Sequence, residues 1–126
     1  MTTDAVMTRL RYSLQALALP ADTQLGLLPR YTGEVDDLIL NFDHWFRAAT
    51  AMRSDSLTAR QLGALAAIEG VLDQMSGQGN AHLWTRSAVS GDARWSRLRE
   101  AAQGALEVFG WDLDVPPAFQ YEFIEW

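Results

Sequence analysis

Hydrophobic and polar positions alternate with the period of an α-helix along most of this chain. The clearest case is segment 33–52, GEVDDLILNFDHWFRAATAM. One side of its helical projection is apolar and carries Val35, Leu38, Ile39, Phe42, Trp45, Phe46, Ala49 and Met52. The other side is mainly polar and carries Asp36, Asp37, Asp43, His44 and Arg47, with Leu40 among them. The pattern predicts an amphipathic helix with an acidic face.

The same period predicts three other long helices. They end near Ala18, near Met75 and near Phe109, and the last of them begins about Asp92. Asp92 favours a helix start through the helix dipole, and Gly110 follows the final turn as a C-terminal cap. A short helix is also predicted at PADTQLGLL, because proline suits the first turn of a helix.

The predicted helix at about 57–75, after a cap at Ser56, carries small residues along one side. These are Ala59, Gly63, Ala66, Ala67 and Gly70. Glycine inside a helix costs about 1 kcal/mol relative to alanine, so two glycines indicate that a neighbouring helix approaches closely. We therefore expect this helix, which has few charges, to occupy the centre of a helical bundle.

The C-terminal segment 111–126, WDLDVPPAFQYEFIEW, does not follow the helical period. Pro116 and Pro117 favour extended backbone, and the rings beyond them alternate with polar residues as in a strand. We expect this tail to pack across the helices or to pair with another chain. The fold prediction is a single all-α domain of residues 1–126, with about five helices and an extended aromatic tail.

Charge and composition restrict the classes of partner. The net charge is −6 and there is no Cys, which excludes disulfides, thiolate metal ligands and thiol catalysis. An acidic surface disfavours nucleic acid and anionic membranes, and it allows a basic protein partner. The N-terminal residues lack a signal-peptide pattern, and no run approaches the ~20 apolar residues of a membrane span. We expect a cytoplasmic protein.

Arginine supplies all ten basic residues. The main cluster contains Arg86, Arg94, Arg97 and Arg99. We expect some of these side chains to form ion pairs with acids of the tail, namely Asp112, Asp114, Glu122 and Glu125. Such pairs would fix the position of the tail more than they would stabilise it.

Motifs for catalysis, metals and cofactors are weak. His44 and His82 lack the Glu-x-x-His spacing of a helical metal site, so no metal and no cofactor are expected. Glu69 and Asp73 are four residues apart and share a helix face, which would allow acid–base chemistry in a shielded site. No nucleophile motif or phosphate loop accompanies them, and we interpret the pair as two solvated acids.

Leu40 is the candidate centre of a binding site. Asp36 and Asp37 precede it by one helical turn, and Asp43 and His44 follow it by one turn. An apolar side chain within a polar rim is typical of a protein-recognition surface. The alternative interpretation is that another helix or the aromatic tail covers Leu40.

In size, charge and helical class the chain resembles the small acidic immunity proteins that bacteria encode beside secreted toxins. The resemblance implies a non-enzymatic protein-binding module that inhibits a basic toxin or nuclease, and it identifies no binding residues. Two alternatives stay open. One is a self-associating scaffold subunit that exchanges its tail. The other is a small helical enzyme or ligand carrier, with a pocket lined by Trp45, Trp84 or Trp95 beside Glu69 and Asp73.

Overall fold

The computed structural model describes residues 3–28, 35–53 and 55–117. Its α-helices are α1 Thr3–Ala18, α2 Ala21–Gly26, α3 Asp36–Arg53, α4 Ala59–Met75, α5 Arg86–Gly91 and α6 Ala93–Phe109, with a 3₁₀ helix at Gln78–Leu83. These ranges contain no strand, which confirms the all-α class.

The number of helices differs from the predicted five. The ranges named above hold seven helical segments, because residues 76–92, whose composition indicates loops, form the 3₁₀ helix and α5. Residues 118–126, with most of the predicted aromatic tail, lie outside the part that the structure describes. The single domain and the exchange of the tail between protomers stay predictions.

Local caps define the start of α4 and both ends of α6. Thr58, two residues after the predicted cap Ser56, forms a reciprocal capping box at the start of α4. Its hydroxyl accepts from the backbone N–H of Gln61 at 3.1 Å, and the Gln61 side chain accepts from the Thr58 N–H at 2.9 Å. Asp92 caps α6, and Gly110 ends that helix in the left-handed conformation with φ of 72°.

Helices α1 and α6 form the centre of the packing. α1 packs on both α3 and α6, and α6 packs on both α1 and α4. Leu10, Leu14 and Leu17 of α1 are fully buried, as are Trp95 and Leu98 of α6. The central pair therefore comes from the two ends of the described chain.

The prediction that α4 is the central helix is wrong. Gly63 and Gly70 are exposed, and a Cβ atom added at either position would meet no other atom within 4 Å. Ala66 and Ala67 are exposed as well. The small residues of α4 therefore face outward, and the opposite face packs on α6 through Leu65, Ile68, Leu72 and Met75.

Two glutamine side chains complete the C-terminal end of α1. The last carbonyls of a helix have no partner within the helix and need one elsewhere. The amide of buried Gln24 donates to the carbonyls of Ala16 at 3.0 Å and Leu17 at 2.9 Å. Gln103 of α6 donates to the carbonyl of Ala18 at 3.0 Å. These bonds join α1 to α2 and to α6.

Arg99 extends this network toward α5. Its guanidinium donates to Oε1 of Gln24 at 2.9 Å and to the carbonyl of Val89 at 3.0 Å. Burial lowers the pKa of Arg99 from its usual value. The side chain thus links α6, α2 and α5 through neutral acceptors.

The predicted ion pairs between the arginine cluster and the tail do not form at Asp112 and Asp114 in the described ranges, and the other two predicted acids, Glu122 and Glu125, lie outside those ranges. Arg94 pairs with Asp92, with 3.2 Å between Nε and Oδ1. Asp112 and Asp114 form no ion pair with any residue of those ranges. Two of the arginines have other partners. Arg94 pairs with Asp92, two residues before it in sequence, and Arg99 donates to Gln24 and to the carbonyl of Val89.

Candidate functional site

Helix α3 carries all five residues of the predicted binding site. We call Asp36, Asp37, Leu40, Asp43 and His44 the Leu40 surface. Leu40 is 51% exposed and Asp36 is exposed, whereas Asp37, Asp43 and His44 are partly buried. The side chain of Leu40 is thus open to solvent over half of its area.

Packing on the opposite side of α3 fixes this orientation. Leu38 and Phe42 are fully buried, and Trp45 is nearly so. Asn41 is also buried, and its Oδ1 accepts a hydrogen bond from the Trp45 indole at 3.1 Å. Rotation of α3 would expose these rings to water, so Leu40 is held outward.

Asp43 already has a partner within α3. Nε of Arg47 lies 2.8 Å from Oδ2 of Asp43, and the Arg47 side chain is 76% exposed. The hydrogen bond and the charge of Asp43 raise the pKa of Arg47. An exposed pair at this spacing is weak and screened by salt, so it neutralises part of the surface without closing it.

His44 contributes an aromatic ring to the Leu40 surface more than it contributes a charge. Its ring meets that of Trp45 edge to face, with 4.4 Å between ring centroids. Burial lowers the pKa of His44, and the nearby carboxylate of Asp43 opposes this effect. His44 and Asp37 both have interactions within the chain. The net lowering of the pKa favours the neutral form of the imidazole.

Glu69 of α4 lies near the Asp43–Arg47 pair. Burial raises the pKa of Glu69, and the charges of Asp43 and Asp73 raise it further, while Arg47 opposes them. Oε1 of Glu69 is buried and accepts no hydrogen bond from the part of the chain that the structure describes. The sequence identifies the Glu69–Asp73 pair but not Asp43 as its neighbour, because α3 and α4 are separate elements of the chain.

The described ranges contain no group of three or more His, Asp or Glu side chains placed to hold a metal ion. Glu69 and Asp73 do share one side of α4, as their spacing predicts. What the structure adds is a partly buried carboxyl group that holds a proton more tightly than a solvated one.

The three tryptophans considered for a ligand pocket have other contacts. Trp45 and Trp95 are core residues, and the Trp95 indole donates to the carbonyl of Leu83 at 2.8 Å. Trp84 meets Trp95 edge to face and donates to the carbonyl of Met75 at 3.2 Å. These bonds fix the segment between α4 and α6.

A cavity of about 390 Å³ lies elsewhere, between α1 and the residues that follow α6. Arg11, Tyr12 and Gln15 line it from α1, and Trp111 is among the residues lining the other side. Sequence reasoning missed this cavity because its walls come from opposite ends of the described chain.

None of the helices in residues 3–28, 35–53 and 55–117 combines the length and hydrophobicity needed to cross a membrane. No protein-family model, curated protein or solved structure matches the chain. The Leu40 surface therefore stays a predicted binding site, supported by the exposure of its central residue.

Proposed function

We propose that this chain is a non-enzymatic protein-binding module that uses the Leu40 surface to hold a basic protein. In its specific form, the proposal is an immunity-type inhibitor of a basic toxin or nuclease in the bacterial cytoplasm. The observation that supports it is the 51% exposure of Leu40 on a helix that is firmly oriented by its buried side.

The chemistry of the Leu40 surface favours a partner with an apolar pocket and a basic rim. Full burial of an exposed leucine side chain contributes about 1.5–3 kcal/mol, and the area of Leu40 still open to solvent corresponds to about half of that. Exposed Asp36 and the other carboxylates would attract cations and repel acidic proteins. The net charge of −6 adds a long-range attraction toward basic partners.

Met52 provides an internal control for this proposal. The sequence pattern places it on the apolar side of α3, yet it lies 47% exposed near the end of the helix. Leu40 and Met52 are therefore two comparably exposed apolar side chains on one helix. They differ in the acids that surround Leu40.

A peptide-display selection tests the proposal directly, because it lets the surface choose its own ligand chemistry. Peptides from a random library are selected on the immobilised protein, and those retained are measured against Leu40→Ala and Met52→Ala. We expect basic peptides with an apolar residue, which lose at least tenfold in affinity on L40A, about 1.4 kcal/mol, and little on M52A. A selection that yields only acidic peptides, or in which no basic peptide is weakened more by L40A than by M52A, would contradict the proposal.

The acids of the surface are tested by the rate of association. Replacing Asp36, Asp37 and Asp43 together by Asn should slow binding of a selected basic peptide and flatten its dependence on salt. The dissociation rate should change less, since rim charges act mainly on encounter. Stopped-flow measurements at several salt concentrations give both rates, and an unchanged salt dependence would remove electrostatic steering from the proposal.

A further inference from the structure

The segment 111–117, directly after α6, is firmly held although it forms neither helix, turn nor bend. At its start the Trp111 N–H donates to the carbonyl of Leu106 at 2.9 Å, and the indole stacks on Phe109 with 4.4 Å between ring centroids. Near its end Pro116 is buried. The segment is thus attached to α6 at its start and shielded from water near its end.

A third attachment comes from α1. The side-chain amide of buried Gln15 donates to the carbonyl of Asp112 at 2.9 Å. Burial of Gln15 makes this bond well defined. The backbone of the segment is therefore positioned before any partner arrives.

The middle of the segment is exposed. Leu113 is 46% and Val115 is 64% exposed, and they alternate with exposed Asp112 and Asp114. Within residues 3–28, 35–53 and 55–117, the backbone N–H groups of Leu113, Asp114 and Val115 find no hydrogen-bond acceptor. Pro116 also restricts Val115 to extended backbone. Residues 112–115 therefore have the properties of an unpaired strand edge.

We propose that residues 112–115 form a docking site for an extended, basic segment of a protein partner. The partner would lie alongside as a strand and accept hydrogen bonds from the N–H groups of the site. Its Lys or Arg side chains would lie across from Asp112 and Asp114, and its small apolar side chains would cover Leu113 and Val115. Because residues 112–115 are already fixed, they lose little conformational entropy of their own on binding.

Charge selects this occupant over a second copy of the chain. Antiparallel pairing of two copies about Leu113 would place Asp112 of one copy opposite Asp114 of the other. Like charges directly opposite each other destabilise a strand pair. A basic segment gains attraction at the same two positions. The inference is separate from the Leu40 surface and does not depend on the function proposed for it.

The test uses the peptide Lys-Val-Lys-Val-Lys-Val and the whole protein. Two variants isolate the backbone contribution: Val115→Pro removes the N–H, and Val115→Thr retains it. Nuclear magnetic resonance titration should show shifts at the amides of Leu113 and Val115. We expect V115T to bind like the parent protein and V115P to bind about fivefold more weakly, the effect of one hydrogen bond.

Three controls make the result specific. The same peptide with methylated backbone nitrogens should lose binding, and a glutamate version should bind at least tenfold more weakly. The affinity for residues 112–115 is read from the amide shift of Leu113, which V115P retains, and any contact of the lysine peptide with the Leu40 surface would be seen separately at the amides of Asp36 and Leu40. Equal binding by V115P, or by the methylated or glutamate peptide, would overturn the inference. Self-association through 112–115, detected by sedimentation and abolished in V115P, would overturn the choice of partner.

Discussion

Helices α1 and α4 have nearly the same length, yet they occupy different positions. α1 packs on two long helices, and every residue from 13 to 18 is buried. α4 packs mainly on α6 and exposes Gly63, Ala66, Ala67 and Gly70. The more apolar helix is thus the outer one. Hydrophobicity therefore does not decide which helix is central in this fold, because the helix with two long neighbours is the less apolar of the two.

Polar residues of α1 show how a central helix tolerates them. Ser13 is buried and its hydroxyl donates to the carbonyl of Leu10 at 2.7 Å. Gln15 is also buried, and its side-chain amide donates a hydrogen bond to the carbonyl of Asp112. Buried polar groups cost little when they are hydrogen-bonded, and the second partner is distant in sequence. A helical projection of α1 alone cannot contain that information.

The largest expected effect comes from breaking the network around α1. Gln24→Leu keeps the approximate volume but leaves the carbonyls of Ala16 and Leu17 and the guanidinium of Arg99 without these partners. We expect a loss of about 2–4 kcal/mol in the free energy of unfolding, because buried unsatisfied groups cost more than a hydrogen bond contributes. Urea denaturation of Q24L and the parent protein, monitored by circular dichroism, measures this change in the free energy of unfolding.

The matched control for that variant is Gln103→Leu. Gln103 is exposed and supplies a single bond, to the carbonyl of Ala18. Its loss should cost about 1 kcal/mol. Equal stability of the parent protein and Q24L would show that the Gln24 network does not secure the end of α1.

An intermediate effect, of opposite sign, is expected on α4. Gly63→Ala and Gly70→Ala should each raise the free energy of unfolding by about 0.5–1 kcal/mol, since alanine has the better helix propensity and its Cβ meets open space. Gly110→Ala is the contrasting control, because its positive φ makes a side chain unfavourable. Chemical denaturation of the three variants gives these values, and destabilisation by G63A and G70A would mean that another surface covers α4.

The smallest effect concerns Glu69. The raised pKa means that the folded chain binds this proton more tightly than the unfolded chain, so stability falls as pH rises from about 4.5 through the raised pKa. Glu69→Gln removes this pH-dependent loss of stability and should stabilise the protein slightly at pH 7. The difference in stability between E69Q and the parent protein should vanish below pH 4.5. Thermal melts of the parent protein, E69Q and the control Asp73→Asn across this pH range measure these differences in stability. An E69Q variant that is less stable than the parent protein at pH 7 would contradict the prediction.

Local features of the fold are predictable from sequence, whereas its long-range features are not. The ends of α1 at Ala18, α4 at Met75 and α6 at Phe109 agree with the sequence pattern, because caps and turn residues act over a few positions. The placement of α4 and the partner of Arg99 depend on contacts between distant segments. These have no signature within one helical period.

The candidate site divides in the same way. The outward direction of Leu40 follows from the helical period, because Leu38 and Phe42 must face the core. The proximity of Asp43 to Glu69 follows from how α3 and α4 are placed, which the period does not encode. Sequence therefore locates the centre of the surface, and the three-dimensional structure adds its electrostatic neighbours.

The two indoles at Trp84 and Trp95 have a spectroscopic consequence. Each donates a hydrogen bond to a backbone carbonyl, Trp84 to Met75 and Trp95 to Leu83, and their rings touch edge to face. Separation of α4 from α6 would therefore break either the bond of Trp84 to α4 or its ring contact with Trp95 of α6. Trp45, on α3, is bonded to Asn41 instead. Fluorescence of single-tryptophan variants would thus report separately on the unfolding of α3 and on that of the region between α4 and α6.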